Sequence, residues 1–281
     1  MNSAWRKTQL FVGFSLFALF LIGAAGAVWG GLIYGNLKTS PTIPWALPAM
    51  LVVLSLMWRY LSGKGWPRST SEERRRLLRA NPVSLQAFTW SMAAGLLAIA
   101  ALAGYWIITF QLFKMPANLL LPARFASSPL LIAAIIIGAS LVAPITEESA
   151  VRGYLQTVLE REFSPLTAVS LSSVIFALAH VTQGIAGPKL FVYFLVGLTF
   201  GAMAYFNNSI LPAIPVHIVG DLVFFLFVWP HDATRPFIWL NGADMWFWIH
   251  LAQAIGFTVL SVLAFKRVAR ITNRPVQRTS R

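Results

Sequence analysis

Eight apolar segments dominate the pattern of hydrophobic and polar residues along the chain. They lie at roughly 9–33, 44–61, 86–110, 129–146, 166–181, 189–206, 210–229 and 245–265. Each is near the roughly 20 residues that an α-helix needs to cross a bilayer, and too long for a strand of a membrane barrel. The pattern therefore predicts an all-α, polytopic membrane protein with about eight transmembrane helices, in a single transmembrane domain over residues 1–281.

The short segments between the apolar runs carry most of the positive charge. Residues 62–85 hold six Lys and Arg, and so does the tail 266–281, whereas 34–43, 111–128 and 230–244 hold one, two and one. Cytoplasmic loops are enriched in Lys and Arg, so we expect the 62–85 segment and both termini to be cytoplasmic. The basic tail 266–281 is polar from Asn273 onwards and is expected to be disordered.

The composition supports a membrane location and excludes several other classes. Hydrophobic residues make up 57% of the chain and charged residues 11%, against about 25% in a soluble domain, so membrane lipid must solvate much of the surface. The net charge is +13, but its position between apolar runs does not indicate a nucleic-acid partner. The chain has no Cys, which excludes a thiol nucleophile, disulfides and thiolate metal ligands.

The segment Thr70 to Arg79 has two interpretations. Thr70 and Glu73 fit a capping box, and Leu77 and Leu78 give an apolar edge, which predicts a short helix at the membrane interface. Alternatively, it is a solvated basic loop that sets the topology.

Acidic and His residues inside apolar segments are the candidates for chemistry. Six of the nine acidic residues are easily placed in water: Glu72, Glu73, Glu160, Glu162, Asp232 and Asp244. The other three are Glu147, Glu148 and Asp221, and two of the four His, His180 and His217, also lie in apolar segments. Such groups are costly in lipid and usually face a cavity and mark function. His231 and His250 are assigned to the interface.

The first candidate group runs from Glu147 to Arg152. Glu148 and Arg152 are four residues apart, so on a helix they share a face and can form an ion pair. Glu147 points about 100° away and can act as a base. The alternative is a cytoplasmic helix start, with Thr146 as N-cap and the acids in the first turn.

The second and third groups also have the spacing of one helix face. Phe176 and His180 are four residues apart, and this His could simply be hydrogen-bonded at a helix end. His217 and Asp221 have the same spacing within an apolar run, where the carboxylate can orient the imidazole or raise its basicity. A purely structural His–Asp pair is the alternative.

The three motifs EExxxR, FxxxH and HxxxD, in this order on separate spans, resemble those of the CPBP family. This family comprises the type II CAAX prenyl endopeptidases and the Abi-type bacteriocin-processing proteins. The motif-bearing core covers 129–229. The family's third motif often ends in Asn, where Asp221 stands here.

The resemblance implies about eight helices, a peptidase active site within the membrane that opens to the cytoplasm, and a peptide or membrane-protein substrate. It implies catalytic roles for six residues. Glu147 and His180 would activate a water molecule, His217 and Asp221 would face the scissile carbonyl, and Glu148 with Arg152 would brace the site. No cofactor is predicted, although the Glu and His residues could also bind one divalent metal such as Zn²⁺. The multi-pass chain is assigned to a bacterial plasma (inner) membrane.

Two other functions are compatible with the motifs. One is a non-enzymatic scaffold or immunity protein of the same fold, and the other is a transporter or proton relay, because Glu, His and Asp chains also move protons. The peptidase interpretation makes one structural demand. Hydropathy ends the fourth span near Glu147, so for the motifs to meet, its helix must continue past Arg152 to about Leu159.

Overall fold

The computed structural model describes residues 3–117, 128–184 and 186–273. It is 84% helical, and no strand occurs within these ranges, so the predicted helical polytopic membrane fold is confirmed. All eight apolar segments are helical. The helices are α1 (Ser3–Thr39), α2 (Ala46–Leu61), α3 (Ser71–Leu78), α4 (Leu85–Leu112), α5 (Pro129–Glu147), α6 (Gln156–Glu162), α7 (Pro165–Ala179), α8 (Gly187–Asn207), α9 (Ala213–Val223), α10 (Ile238–Asn241) and α11 (Met245–Ile271).

The predicted number of spans was wrong. Six of the described helices, rather than eight, are long and apolar enough to cross a membrane. The two that fall short are α2, with 16 residues, and α7, with 15. At about 1.5 Å per residue each is shorter than the roughly 30 Å hydrocarbon core of a bilayer. Their apolar composition resembles that of a span, so hydropathy alone did not separate them from the longer helices.

The chain divides into two compact units. The first consists of residues 1–80 and 119–162 and contains α1, α2, α3, α5 and α6. Its apolar core includes Trp29, Met50 and Val142. Gly138 of α5 allows this packing, because a Cβ there would lie 2.2 Å from the Trp29 ring. The buried Asn36 side chain closes the turn into α2 by donating to two carbonyls and accepting from the Ala46 backbone N–H.

The polar segment 62–80 packs within the first unit. Arg74 and Arg79 are buried, and so are Leu77 and Leu78. Arg74 lies over the Tyr60 ring and donates to three backbone carbonyls. Thr70 precedes α3 but makes no side-chain cap hydrogen bond, so the predicted capping box is wrong. The short helix exists, and it is held by burial of its inner face rather than solvated as a loop.

The second unit consists of residues 81–118 and 163–281 and contains α4 and α7 to α11. Trp106 of α4 lies at the centre of its core with Phe200 and Met203 of α8. Helices α4 and α11 pack closely, since a Cβ on Gly104 would lie 2.9 Å from the His250 carbonyl oxygen. Helix α11 continues to Ile271, and residues 274–281 of the predicted disordered tail lie outside the described residues.

Candidate active site

The EExxxR motif lies in the interior of one long helix. Helices α5 and α6 are joined by a π-helical segment, Glu148–Leu155, and the whole helix runs from Pro129 to Glu162. The predicted extension past Arg152 is therefore confirmed. The alternative helix start is wrong, because Thr146 lies inside α5, where its hydroxyl donates to the Val142 carbonyl at 2.6 Å. π-Helical segments are rare and are frequently found at functional sites.

The charged side chains of this motif are buried. Glu147 is 6% exposed, while Glu148 and Arg152 are fully buried. The predicted ion pair forms, with Arg152 Nη1 3.1 Å from Glu148 Oε1. A buried charge pair of this kind fixes two side chains, because separating it would leave an uncompensated charge in a low-dielectric interior. Glu148 is therefore bound to Arg152, as the four-residue spacing predicted.

Other residues of the first unit contact the π-helical segment and the helix that follows it. The Tyr154 hydroxyl donates to the Leu61 carbonyl at 3.0 Å. Gly153 lies against α3, where a Cβ would be 3.0 Å from the Leu78 carbonyl oxygen. Further along, Arg79 binds Glu160 through two hydrogen bonds of 2.9 and 2.8 Å. The segment 62–80 thus holds the helix that carries the motif.

His180 of the second motif lies at the C-terminal end of α7. Its Nδ1 is 2.8 Å from the Phe176 carbonyl oxygen. Because a carbonyl oxygen only accepts, Nδ1 must carry the proton, which leaves the lone pair of the neutral imidazole on Nε2. The ring stacks on Tyr193 of α8, with centroids 4.1 Å apart. These contacts fix both the tautomer and the plane of the ring.

His217 of the third motif lies on α9 and is 5% exposed. Its ring stacks on Phe200 with centroids 4.5 Å apart. Its Nε2 is 3.7 Å from Asp221 Oδ1, too long for a direct hydrogen bond. His217 and Asp221 therefore lie close enough to interact electrostatically, as predicted, but they form no direct hydrogen bond.

Phe176 brings the two His motifs together within the second unit. Its ring centroid lies 4.7 Å from that of His180 and 6.2 Å from that of His217. The structure thus groups Phe176, His180, His217 and Asp221 in one unit, while Glu147, Glu148 and Arg152 belong to the other.

Sequence reasoning missed several residues that support the His motifs. Tyr193 and Phe200 provide the rings on which the two imidazoles stack, and neither has a recognisable spacing from its His. Lys189 is fully buried, and its ammonium donates to the Gln183 carbonyl at 2.7 Å and to the Pro116 carbonyl at 3.2 Å. A Lys at the start of an apolar run is a signal that could have identified this residue.

Asp232 was wrongly placed in water. It is 5% exposed and accepts hydrogen bonds from the Trp106 indole at 2.9 Å and from Arg235 at 3.1 Å. Its position in a short polar stretch after an apolar run suggested exposure, but the chain turns back into the protein there. In residues 3–117, 128–184 and 186–273, no group of three or more His, Asp or Glu is arranged to hold a metal ion.

Comparison with known proteins agrees with the motif analysis. Residues 129–223 match the family model described as type II CAAX prenyl endopeptidase, Rce1-like. The matched range contains all three motifs, so the predicted family resemblance is confirmed. The matched family is one of proteases. Neither a curated protein nor a solved structure matches the chain.

Proposed function

From the resemblance of residues 129–223 to the type II CAAX prenyl endopeptidases, we propose that this chain is an intramembrane endopeptidase that hydrolyses a peptide bond with a water molecule activated by Glu147 and His180. The observation that carries the proposal is the hydrogen bond from His180 Nδ1 to the Phe176 carbonyl. It makes Nε2 the ring nitrogen that can accept a proton when the imidazole is neutral, and accepting a proton is what a general base does. The substrate is a peptide or a membrane protein.

The environment of Glu147 is consistent with the role of a general base. Its neighbour Glu148 forms the ion pair with Arg152, and Glu147 itself is 6% exposed. A carboxylate can accept a proton from a water molecule, which is the step that a general base performs. Removing a proton from water lets the resulting hydroxide attack the scissile carbonyl, and the same proton can then pass to the leaving amine.

His217 is assigned to the oxyanion that this attack creates. An imidazole N–H directed at the developing negative charge stabilises the transition state more than the ground state. As an anion, Asp221 cannot donate a hydrogen bond to the oxyanion. Its 3.7 Å separation from His217 supports instead a role in orienting the imidazole. Glu148 and Arg152 brace the helix from which Glu147 projects.

The test is cleavage by the full chain purified in lipid nanodiscs, with a panel of transmembrane peptides and prenylated CAAX-type peptides. Glu147→Gln and His180→Ala should each lower kcat/KM by about 10²-fold or more. The double variant should be no slower than the slower single variant, because two residues that activate one water act as a unit. Glu162→Gln and His250→Ala are matched controls and should cleave like the parent. Undiminished cleavage in both single variants, or fully multiplicative losses in the double variant, would overturn the role assignment.

A further inference from the structure

A cavity of about 260 Å³ lies in the first unit, beside the helix that carries the EExxxR motif. Phe14 and Phe17 of α1, Leu77 of α3 and Tyr154 form its apolar walls. The buried Arg74 also lines it, with its guanidinium bound to three backbone carbonyls. Phe17 and Tyr154 also contact each other, with ring centroids 5.3 Å apart. At the rim stand the exposed Thr70 and Glu73. The cavity therefore has an apolar interior and a polar mouth.

The position of the cavity along α2 places it at the membrane interface. The Tyr154 hydroxyl in its wall donates to the carbonyl of Leu61, the last residue of the apolar helix α2. From Ser62 onwards the chain is polar, so the apolar region ends at this level. Phospholipid headgroups lie where the apolar part of a membrane protein gives way to its polar part.

The polar segment beside the mouth has an excess of exposed positive charge. Lys64, Arg68 and Arg75 are exposed and form no ion pair with another described residue. Two acidic residues on α3 are already paired, Glu72 with Arg76 and Glu73 with Arg161. Trp66, which is 86% exposed, lies between the first two cations, and exposed Trp is typical of the interface.

We propose that this cavity binds an acyl chain of an anionic phospholipid, whose phosphate is held by the cations of the segment 62–80. An apolar chain suits the four apolar walls, and a phosphate suits Lys64 and Arg68 at the polar end. A zwitterionic lipid would offer the same chain but no net negative charge. The cations at the mouth therefore select the charge of the headgroup, and the apolar walls select the acyl chain.

A molecule bound in this cavity would contact the helix that carries the EExxxR motif. Tyr154 follows Arg152 by two residues in the same π-helical segment. The bound chain would therefore contact the segment that carries Glu148 and Arg152. Lipid binding itself requires no peptidase activity, so it stands apart from the proposed function.

The test is lipid retention by the full chain, measured by native mass spectrometry after extraction from vesicles of equal phosphatidylglycerol and phosphatidylcholine. The parent protein should retain phosphatidylglycerol in preference. Thr70→Trp places a large ring at the mouth and should reduce that retention by about five-fold or more. Ser69→Trp is the matched control, because Ser69 is exposed and does not line the cavity, and it should bind like the parent. Equal retention by Thr70→Trp and the parent would overturn the proposal.

The headgroup assignment has its own test. Lys64→Gln with Arg68→Gln should lower the preference for phosphatidylglycerol by about 25-fold, because each of the two cations near a membrane surface contributes roughly five-fold in affinity. Lys266→Gln with Arg267→Gln removes the same charge from α11 and should leave the preference unchanged. Displacement of the lipid by chainless glycerol phosphate at equal concentration would also overturn the proposal, since it would show that the cavity adds nothing.

Discussion

At the scale of single residues, aromatic rings pack against both imidazoles, and a backbone hydrogen bond also holds His180. His180 stacks on Tyr193, His217 stacks on Phe200, and both His contact Phe176. The sequence correctly indicated the i,i+4 pairs, because the helical repeat alone brings such residues to one face. It did not indicate Tyr193 or Phe200, because those contacts join different helices.

Replacing Phe200 by Leu is expected to slow catalysis. The change removes the ring that fixes His217, and aromatic pairs of this kind are worth about 0.5–1.5 kcal/mol, so kcat should fall by about two- to ten-fold with little change in KM. Steady-state cleavage kinetics check this. Phe191→Leu is the control on the same helix, since Phe191 is 59% exposed. An equal effect of both substitutions would show that the stack on His217 does not matter.

At the scale of helices, close packing decides which side chains reach the site. A Cβ on Gly197 of α8 would lie 2.7 Å from the Ser173 Cβ and 2.8 Å from its Cα, so α7 and α8 touch nearly backbone to backbone. This approach allows Tyr193 of α8 to stack on His180 at the end of α7. The small residue is visible in the sequence, but its partner helix is not.

Gly197→Ala should therefore destabilise the second unit and reduce cleavage. The added methyl must displace α7, and overpacking of this kind costs about 1–3 kcal/mol. The thermal unfolding midpoint in detergent should fall. Gly256→Ala on α11 is the control, because a Cβ there meets nothing within 4 Å, and it should unfold at or above the parent midpoint. An unchanged midpoint for Gly197→Ala would contradict the close approach of the two helices.

At the scale of the whole molecule, the distribution of charge predicts orientation in the membrane. The tail 266–281 carries six Lys and Arg, and the segment 230–244 before α11 carries only Arg235. Helix α11 has 27 residues and is one of the six helices long enough to cross. From the positive-inside bias we therefore predict that the end of α11 lies in the cytoplasm and its start on the opposite side.

Single-cysteine labelling checks this orientation. Because the sequence has no native Cys, only the introduced Cys can react with the label. In intact cells, a membrane-impermeant maleimide should label Asn241→Cys directly. It should label Lys266→Cys only after the membrane is permeabilised, because that residue lies near the end of α11 that is predicted to be cytoplasmic. Both variants should react fully in detergent. Labelling of Lys266→Cys and not of Asn241→Cys in intact cells would reverse the predicted orientation.

The sequence by itself determined the helical membrane fold, the family resemblance and the three motif pairs, because hydropathy and the helical repeat act over neighbouring residues. It also required the helix of the first motif to continue past Arg152, which the structure confirms. Hydropathy did not separate α2 and α7 from helices of full spanning length. Their composition resembles that of a membrane span, but both helices are too short to cross the bilayer.

Tertiary structure alone decided the π-helical form of Glu148–Leu155, the burial of Arg79, Lys189 and Asp232, and the rings that hold the two His. Arg79 looked like one more cation of a solvated segment. It is instead bound to Glu160, which lies 81 residues away. A charged residue can be buried only where a partner compensates its desolvation. Where that partner is distant in sequence, as for Arg79, it is known only once the helices are packed.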